Sequence, residues 1–365
     1  MDHGGNIYMA SLKTGIPKRR IVDFSASINP LGMPASAEQA IRRQFSLISH
    51  YPEPFAEGLS DEISHMLGVS PGSIICGNGS TELIYLIPRA LKPKHALITA
   101  PTFSEYEKAC KIRDGLRVMR YELKREKDFD LNIEEFIDAM SGKQLPITRH
   151  ASRITAFDMA FICNPNNPTG RLIGKKDLLR IADAAKRLRC YLVVDEAFID
   201  FCPSESVAHE VAGNPYLIVL RSLTKFYALA GLRLGYGIFP HAVADKIKRQ
   251  KEPWTVNSLA QAAGSAAIRD AAYQLRSLKT MCAEKKFMEK EFEKIGVCYL
   301  PSSANYYLLE MENAQQVINT LAEKGILARD CSNFRGLDGK YIRVAVRSRR
   351  DNSRLIREVR HICGA

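Results

Sequence analysis

The feature that most constrains this chain is an alternation. Between Ile74 and Phe239, short apolar runs recur with amphipathic stretches between them. His95–Ala100, Arg117–Leu123, Phe157–Cys163, Tyr191–Asp195, Tyr216–Leu220 and Leu234–Phe239 have the length and composition of strands. Ser104–Arg113, Ile133–Met140 and Lys175–Arg189 repeat their apolar residues at helical spacing. Strand–helix alternation of this kind builds a mostly parallel sheet covered by helices.

After Pro253 the texture changes. Ser258–Ile295 reads as one long helical region broken near Asp270, followed by strand Tyr306–Glu310, helix Ala314–Lys324, strand Tyr341–Val346 and a closing helix Asn352–Cys363. The expected organisation is an N-terminal arm (1–40), a large α/β domain (41–252) and a smaller C-terminal α+β domain (253–365). The arm is too irregular to stand alone and is expected to pack on the small domain or on a second subunit. Ser141–Thr155 is polar, basic and aperiodic, and reads as a surface loop.

Charge and cysteine narrow the class. The 365 residues carry 52 Lys and Arg against 40 Asp and Glu, a formal excess of +12. That excess invites an acidic partner, such as a phosphorylated small molecule or nucleic acid. The basic clusters, Lys18–Arg20, Lys246–Lys251 and Arg347–Arg350, are short, and such runs are usually solvated faces. There is no room before residue 40 for a helix-turn-helix module, so nucleic-acid binding is not expected. The 9 Cys form no C-x-x-C pair, so neither a disulfide framework nor a metal site is expected. Met1–Ala10 lacks an apolar core of signal-peptide type, and no run approaches the ~18 apolar residues of a spanning helix. A cytoplasmic enzyme without a membrane partner is the expectation.

Four segments carry chemistry. Cys76-Gly77-Asn78-Gly79-Ser80-Thr81-Glu82 precedes an apolar helix; glycines allow a tight turn, and a helix start with hydroxyls suits a phosphate. Alone it is an ordinary helix cap. Asn164-Pro165-Asn166-Asn167-Pro168-Thr169-Gly170 follows an apolar strand, at the end where open α/β sheets bind ligands. Alone it is a strong turn. Asp195 closes the run Val193-Val194, where a carboxylate is costly unless it meets donors or a cation. Lys225, in Arg221-Ser222-Leu223-Thr224-Lys225, sits among apolar and hydroxyl residues; burial there would disfavour its charge and suit a Schiff-base amine.

In order and spacing these four segments resemble the fold-type I pyridoxal-phosphate enzymes, the aminotransferase class I/II superfamily. The resemblance covers nearly the whole chain. It implies an α/β fold with a mostly parallel central sheet and a smaller C-terminal α+β domain, with pyridoxal 5'-phosphate as cofactor. It implies that Lys225 binds the cofactor covalently and that Asp195 pairs with the ring nitrogen. Asn167 would meet the ring's phenolic oxygen, Phe103 would stack on the ring, and Gly79, Ser80, Ser222 and Arg233 would hold the phosphate. Tyr51, in His50-Tyr51-Pro52, matches a tyrosine that reaches the neighbouring subunit's cofactor, which implies a homodimer.

Within the superfamily the chain resembles the histidinol-phosphate aminotransferases and, more closely, the threonine-phosphate decarboxylases of cobalamin biosynthesis. Three features carry the closer likeness: His3-Gly4-Gly5-Asn6, Asp23-Phe24-Ser25-Ala26-Ser27-Ile28-Asn29-Pro30, and Phe198 where aminotransferases usually have Tyr. The resemblance implies that His3, Gly4, Asn29, Asn167, Arg329 and Arg343 contact a phosphorylated amino acid. Arg343 lies inside an apolar strand, where an unpaired guanidinium would be expensive. Amino transfer from histidinol phosphate and decarboxylation of L-serine O-phosphate remain open at this point. So does the division of carboxylate and phosphate between the two arginines.

Overall fold

A computed structural model describes residues 4–143 and 156–364. Seven strands form the central sheet: β1 (Ile74–Asn78), β2 (His95–Ala100), β3 (Arg117–Glu122), β4 (Met159–Cys163), β5 (Tyr191–Asp195), β6 (Leu217–Ser222) and β7 (Leu234–Ile238). Their order across the sheet is β1-β7-β6-β5-β4-β2-β3. The pairs from β3 through β6 are parallel, whereas β7 runs antiparallel to both β6 and β1. Every residue of β4 and β6 is buried, as expected for strands covered on both faces. Three parallel strands, β4, β5 and β6, therefore deliver their carboxyl ends to one edge, where the Asn loop, Asp195 and the Lys225 segment follow.

Helix α1 (Gly79–Leu91) starts directly from β1 and buries Leu83, Ile84, Leu86 and Ile87. Helix α2 (Glu105–Lys111) begins soon after β2 and buries Tyr106, Ala109 and Cys110. The helical region after Pro253 does divide at Asp270. Helix α3 (Ser258–Ile268) ends before it, and helix α4 (Ala271–Lys294) takes the Asp270 carboxylate as its cap, accepting the Tyr273 N–H at 2.8 Å.

The smaller sheet is antiparallel, in the order Arg329–Asp330, β9 (Tyr341–Ala345), β8 (Tyr306–Glu310), Cys298–Tyr299. Its core includes Tyr307, Leu309, Ile342 and Val344 packed against Met288 and Phe292 of α4. The closing helix α5 (Arg349–Cys363) starts three residues earlier than its apolar pattern suggests, because Ser348 Oγ accepts the Asp351 N–H at 3.3 Å and caps it there. Its apolar residues Leu355, Ile356 and Val359 complete the small core.

The arm is more ordered than expected from its composition. Ile7–Thr14 and Ala35–Arg43 are helices, and Val22–Asp23 pairs in parallel with Ile326–Leu327 of the C-terminal region. The large core continues past residue 252: Val256, Ala260, Ala263, Ala267 and Tyr273 pack into the same cluster as Leu59, Leu234 and Tyr236. Small residues on α3 allow that close approach, since a Cβ on Gly264 would lie 2.3 Å from Leu234 Cδ2. Residues 144–155 of the expected Ser141–Thr155 loop lie outside the described residues.

Candidate active site

A cavity of about 370 Å³ opens at the carboxyl edge of the central sheet, within the ~300–1,000 Å³ range of small-molecule sites. Lys225, Asp195, Asn167, Phe103, Arg233, Arg329, Arg343 and Gly4 all border it. Segments far apart in sequence thus meet at one place.

Asp195 ends β5 in full burial. Tyr106 Oη donates to its Oδ2 at 2.7 Å, and the Ala197 N–H reaches its Oδ1 at 3.0 Å. Burial pushes its carboxyl pKa upward, and Tyr106, Ala197 and the Lys225 charge oppose that rise. Tyr106 is itself stacked on Phe161 with ring centroids 5.3 Å apart, so its hydroxyl is held in direction.

Lys225 lies in the single helical turn Leu223–Phe226 after β6. Its amine pKa falls to about 8, chiefly through burial, then through the Arg343 and Arg233 charges, with Asp195 opposing. Such an amine has a larger neutral fraction near pH 7 than an ordinary lysine, which suits a nucleophile.

Asn167 is fixed by the loop around it. Its neighbour Asn166 donates to Pro101 O at 3.0 Å and accepts from Thr102 Oγ1 at 2.8 Å. Tyr306 Oη holds the Asn166 carbonyl at 2.7 Å. Arg343 Nη1 donates to Asn167 Oδ1, which leaves the amide N–H₂ of Asn167 as the group to offer the cavity.

The arginines are buried. Arg343 Nη2 donates to Ser25 O at 3.0 Å, and its guanidinium stacks over Tyr306 at 4.9 Å. Its Nε is buried without a partner among the described residues. Arg329 Nη2 donates to Asn333 Oδ1 at 2.8 Å and lies 5.2 Å from the Phe334 ring centroid.

The phosphate cradle sits beside this group. Gly79 has φ +72°, a left-handed value that glycine adopts without strain, and its N–H donates to Arg233 O at 2.7 Å. A Cβ on Gly79 would lie 2.5 Å from Arg233 Nη2, and one on Gly235 would lie 2.3 Å from Ser80 N. Two missing side chains therefore let the first turn of α1 and the Arg233 guanidinium converge. The N–H groups of a first helical turn have no intrahelical partners.

The residues present fit pyridoxal phosphate. A buried amine, a carboxylate held on two donors, an Asn amide, an aromatic ring and an anion cradle are the parts it needs. Phe103 meets Tyr106 edge-on with centroids 5.7 Å apart.

Other expected residues lie elsewhere. Asn29 does not line the cavity. Its Nδ2 donates to Phe226 O and Ser277 Oγ, both at 2.8 Å, and its Oδ1 accepts the Leu31 N–H at 3.1 Å. Its backbone N–H holds Lys225 O at 3.0 Å, so it fixes the lysine segment instead. Ser222, the last residue of β6, has its Oγ bonded to Thr224 Oγ1 at 2.7 Å. Ser80 is buried at the start of α1. Tyr51 is 84% exposed, its ring 5.3 Å from Trp254, and no part of it enters the cavity of its own chain. His3 lies outside the described residues. Gly4 borders the cavity, packed so closely that a Cβ would meet Ser25 O at 2.2 Å.

Sequence reasoning did not single out Tyr106, Ser25 or Phe334. Tyr106 stands three residues past Phe103, just inside α2, and its N–H reaches Phe103 O at 3.4 Å. Ser27 also borders the cavity with its Oγ buried and unpartnered among the described residues.

Comparison with known proteins agrees with this geometry. A threonine-phosphate decarboxylase of Salmonella typhimurium is 37% identical over 364 residues, covering 99% of this chain and 96% of that one. An adenosylcobalamin biosynthesis bifunctional protein of Leptospira interrogans is 32% identical over 361 residues, covering 97% of this chain and 40% of that one. The crystal structure of a histidinol-phosphate aminotransferase from Clostridium acetobutylicum superimposes with a TM-score of 0.84 at 30% identity, covering 93% of this chain and 98% of that one. The family model for aminotransferase class I and II matches residues 19–359, which take in the sheet, the lysine segment and both arginines. With its site assembled from the same stretch, the chain belongs to the aminotransferase class I and II family.

Proposed function

We propose that this chain is a pyridoxal-phosphate-dependent decarboxylase that converts L-threonine O-3-phosphate to (R)-1-amino-2-propanol O-2-phosphate and CO2 in cobalamin biosynthesis. The observation that carries the reading is the meeting of Lys225 and Asp195 with two buried arginines in one cavity. End-to-end likeness to the Salmonella typhimurium decarboxylase supports it.

The cofactor, when bound, accepts the electron pair that Cα retains as its carboxylate leaves. Lys225 would hold it through the amine, and Gly79, Ser80, Ser222 and Arg233 would hold its phosphate. Asp195, kept in direction by Tyr106, would bind the ring nitrogen. Asn167 would donate to the phenolic oxygen and Phe103 would cover one ring face.

The substrate carries two anionic groups, and two guanidinium forks suit them. Arg329 and Arg343 would fix carboxylate and phosphate, setting the angle of the Cα–carboxylate bond to the ring. That bond breaks, CO2 leaves, and a C–H bond forms at Cα. Lys225 is the group placed to deliver that proton, since its lowered pKa allows exchange near neutral pH.

A histidinol-phosphate aminotransferase would use the same parts. Two observations favour the decarboxylase. Phe198 is buried with its edge on Tyr306, centroids 5.0 Å apart, and it brings no hydroxyl to the phenolic oxygen. Gly4 and the Ser25–Ser27 segment also close one side of the cavity. The working form in this reading is a cytoplasmic homodimer in which Tyr51 reaches the partner's cofactor phosphate.

The test is incubation of cofactor-loaded protein with L-threonine O-3-phosphate and no keto acid. Catalytic CO2 release that disappears in Lys225→Ala is expected. Absence of CO2 with full cofactor occupancy overturns the reading.

A further inference from the structure

Two basic clusters from opposite ends of the chain converge on one groove, remote from Lys225. Arg19 and Arg20, in the turn Lys18–Arg20, face Arg350, Arg354 and Arg357 of α5 across about 780 Å³. The last three recur at i, i+4 and i+7, so they share one face of the helix. Pairing of Val22 with Ile326 anchors the turn opposite that face.

The arginines of this region divide into two kinds. Arg349 is taken up internally, bonded to both oxygens of Glu284 at 3.1 Å and stacked on Phe287 at 4.1 Å. Arg347 is likewise held by Asp351 and by Asp23 O. Arg19, Arg20 and Arg350 make no side-chain hydrogen bond or ion pair among the described residues. Among the described residues Arg354 reaches only Lys324 O, and Arg357, itself exposed, only its neighbour Glu358. Among the described residues Asp351 is the one carboxylate in the lining, and it already serves Arg347.

That arrangement opposes folding. Five like charges repel one another, and Arg350 stands in the first turn of α5, where the helix dipole disfavours a cation. The lining also restricts what could offset the repulsion. Among the described residues Val22 is its only apolar residue, and none of them brings an aromatic ring. Protein partners need apolar or aromatic anchors, and single-stranded nucleic acid needs stacking surfaces. A concave groove of this volume suits a small ligand rather than a flat lipid surface. Guanidinium forks match phosphate oxygens in pairs.

We propose that this groove is a second anion site, distinct from the catalytic cavity, that binds a short chain of condensed phosphates through the Arg19–Arg20 turn and the Arg350–Arg354–Arg357 face.

The test is calorimetric titration of the full-length, cofactor-loaded protein with inorganic tripolyphosphate. One molecule per chain is expected, with at least tenfold weaker binding in an Arg19→Ala/Arg350→Ala variant whose substrate turnover is unchanged. Arg350→Lys, which retains charge but loses the fork, is expected between the two, and it serves if the double variant folds poorly. No binding, or equal binding by wild type and variants, overturns the proposal. So does tighter binding of oligoglutamate or a single-stranded oligonucleotide than of tripolyphosphate at the same arginines, which would make the groove a macromolecular surface.

Discussion

Asp195 shows how one buried charge organises the site. Burial raises its pKa, and the Tyr106 hydroxyl is the first group to oppose that. Removing the hydroxyl in Tyr106→Phe leaves the aromatic packing and deletes one hydrogen bond to a carboxylate. The carboxyl pKa then moves further up, and its hold on the ring nitrogen weakens. Pyridoxal phosphate affinity should fall about tenfold, on the order of 1.5 kcal/mol, as read by absorbance titration. Lys225 is a second case, with the sign set by cations. Arg343 and Arg233 disfavour its protonation. In cofactor-free protein the pH midpoint for capture of pyridoxal phosphate should lie near 8, and in Arg343→Ala it should shift upward. An unchanged or lower midpoint would remove Arg343 from that role. The meeting of Lys225, Asp195 and Asn167 at one cavity was legible in sequence because each follows a strand run or a turn signal. The partners of Asn29 were not legible, because its motif is local whereas Phe226 and Ser277 arrive from segments far along the chain. Tyr106 was missed for the opposite reason: a tyrosine inside an apolar helix face reads as core.

At the scale of elements, the phosphate cradle depends on β7 lying against the start of α1. Gly235 permits that contact, since any Cβ there meets Ser80 N at 2.3 Å and Arg221 O at 2.9 Å, both backbone atoms. Gly235→Ala should push the first turn of α1 away from Arg233. The expected result is at least a tenfold loss of pyridoxal phosphate affinity, with a lower thermal midpoint from overpacking of ~1–3 kcal/mol. Retained affinity in this variant would mean the cradle lies elsewhere. The parallel strands were readable from their apolar runs, and the Asp270 break from its capping chemistry. Helix Ala35–Arg43 was not, because its packing surface is supplied by α3, more than two hundred residues away. The antiparallel direction of β7 was equally hidden, since a fully buried strand looks the same in either sense.

Across the whole molecule, the two chain ends meet. Val22–Asp23 pairs with Ile326–Leu327 of the C-terminal region and Ser25 meets Arg343, so the cavity is closed by residues 318 positions apart in sequence. Tyr51, Trp254 and Ile112 expose large apolar area, at 84%, 49% and 72%. In the proposed homodimer an interface between two copies would cover that exposure. Sedimentation should therefore give a dimer, and Tyr51→Phe should weaken pyridoxal phosphate binding without dissociating it; a monomer that binds the cofactor normally would contradict the shared site. The claim on which the account rests is which bond at Cα is broken. The most direct measurement follows L-threonine O-3-phosphate carrying ¹³C at its carboxylate, by NMR, in the cofactor-loaded protein supplied with 2-oxoglutarate. The account predicts that the label leaves as CO2 and bicarbonate while the nitrogen stays on the phosphorylated product. Label retained in an organic acid, with nitrogen passed to glutamate, would contradict it.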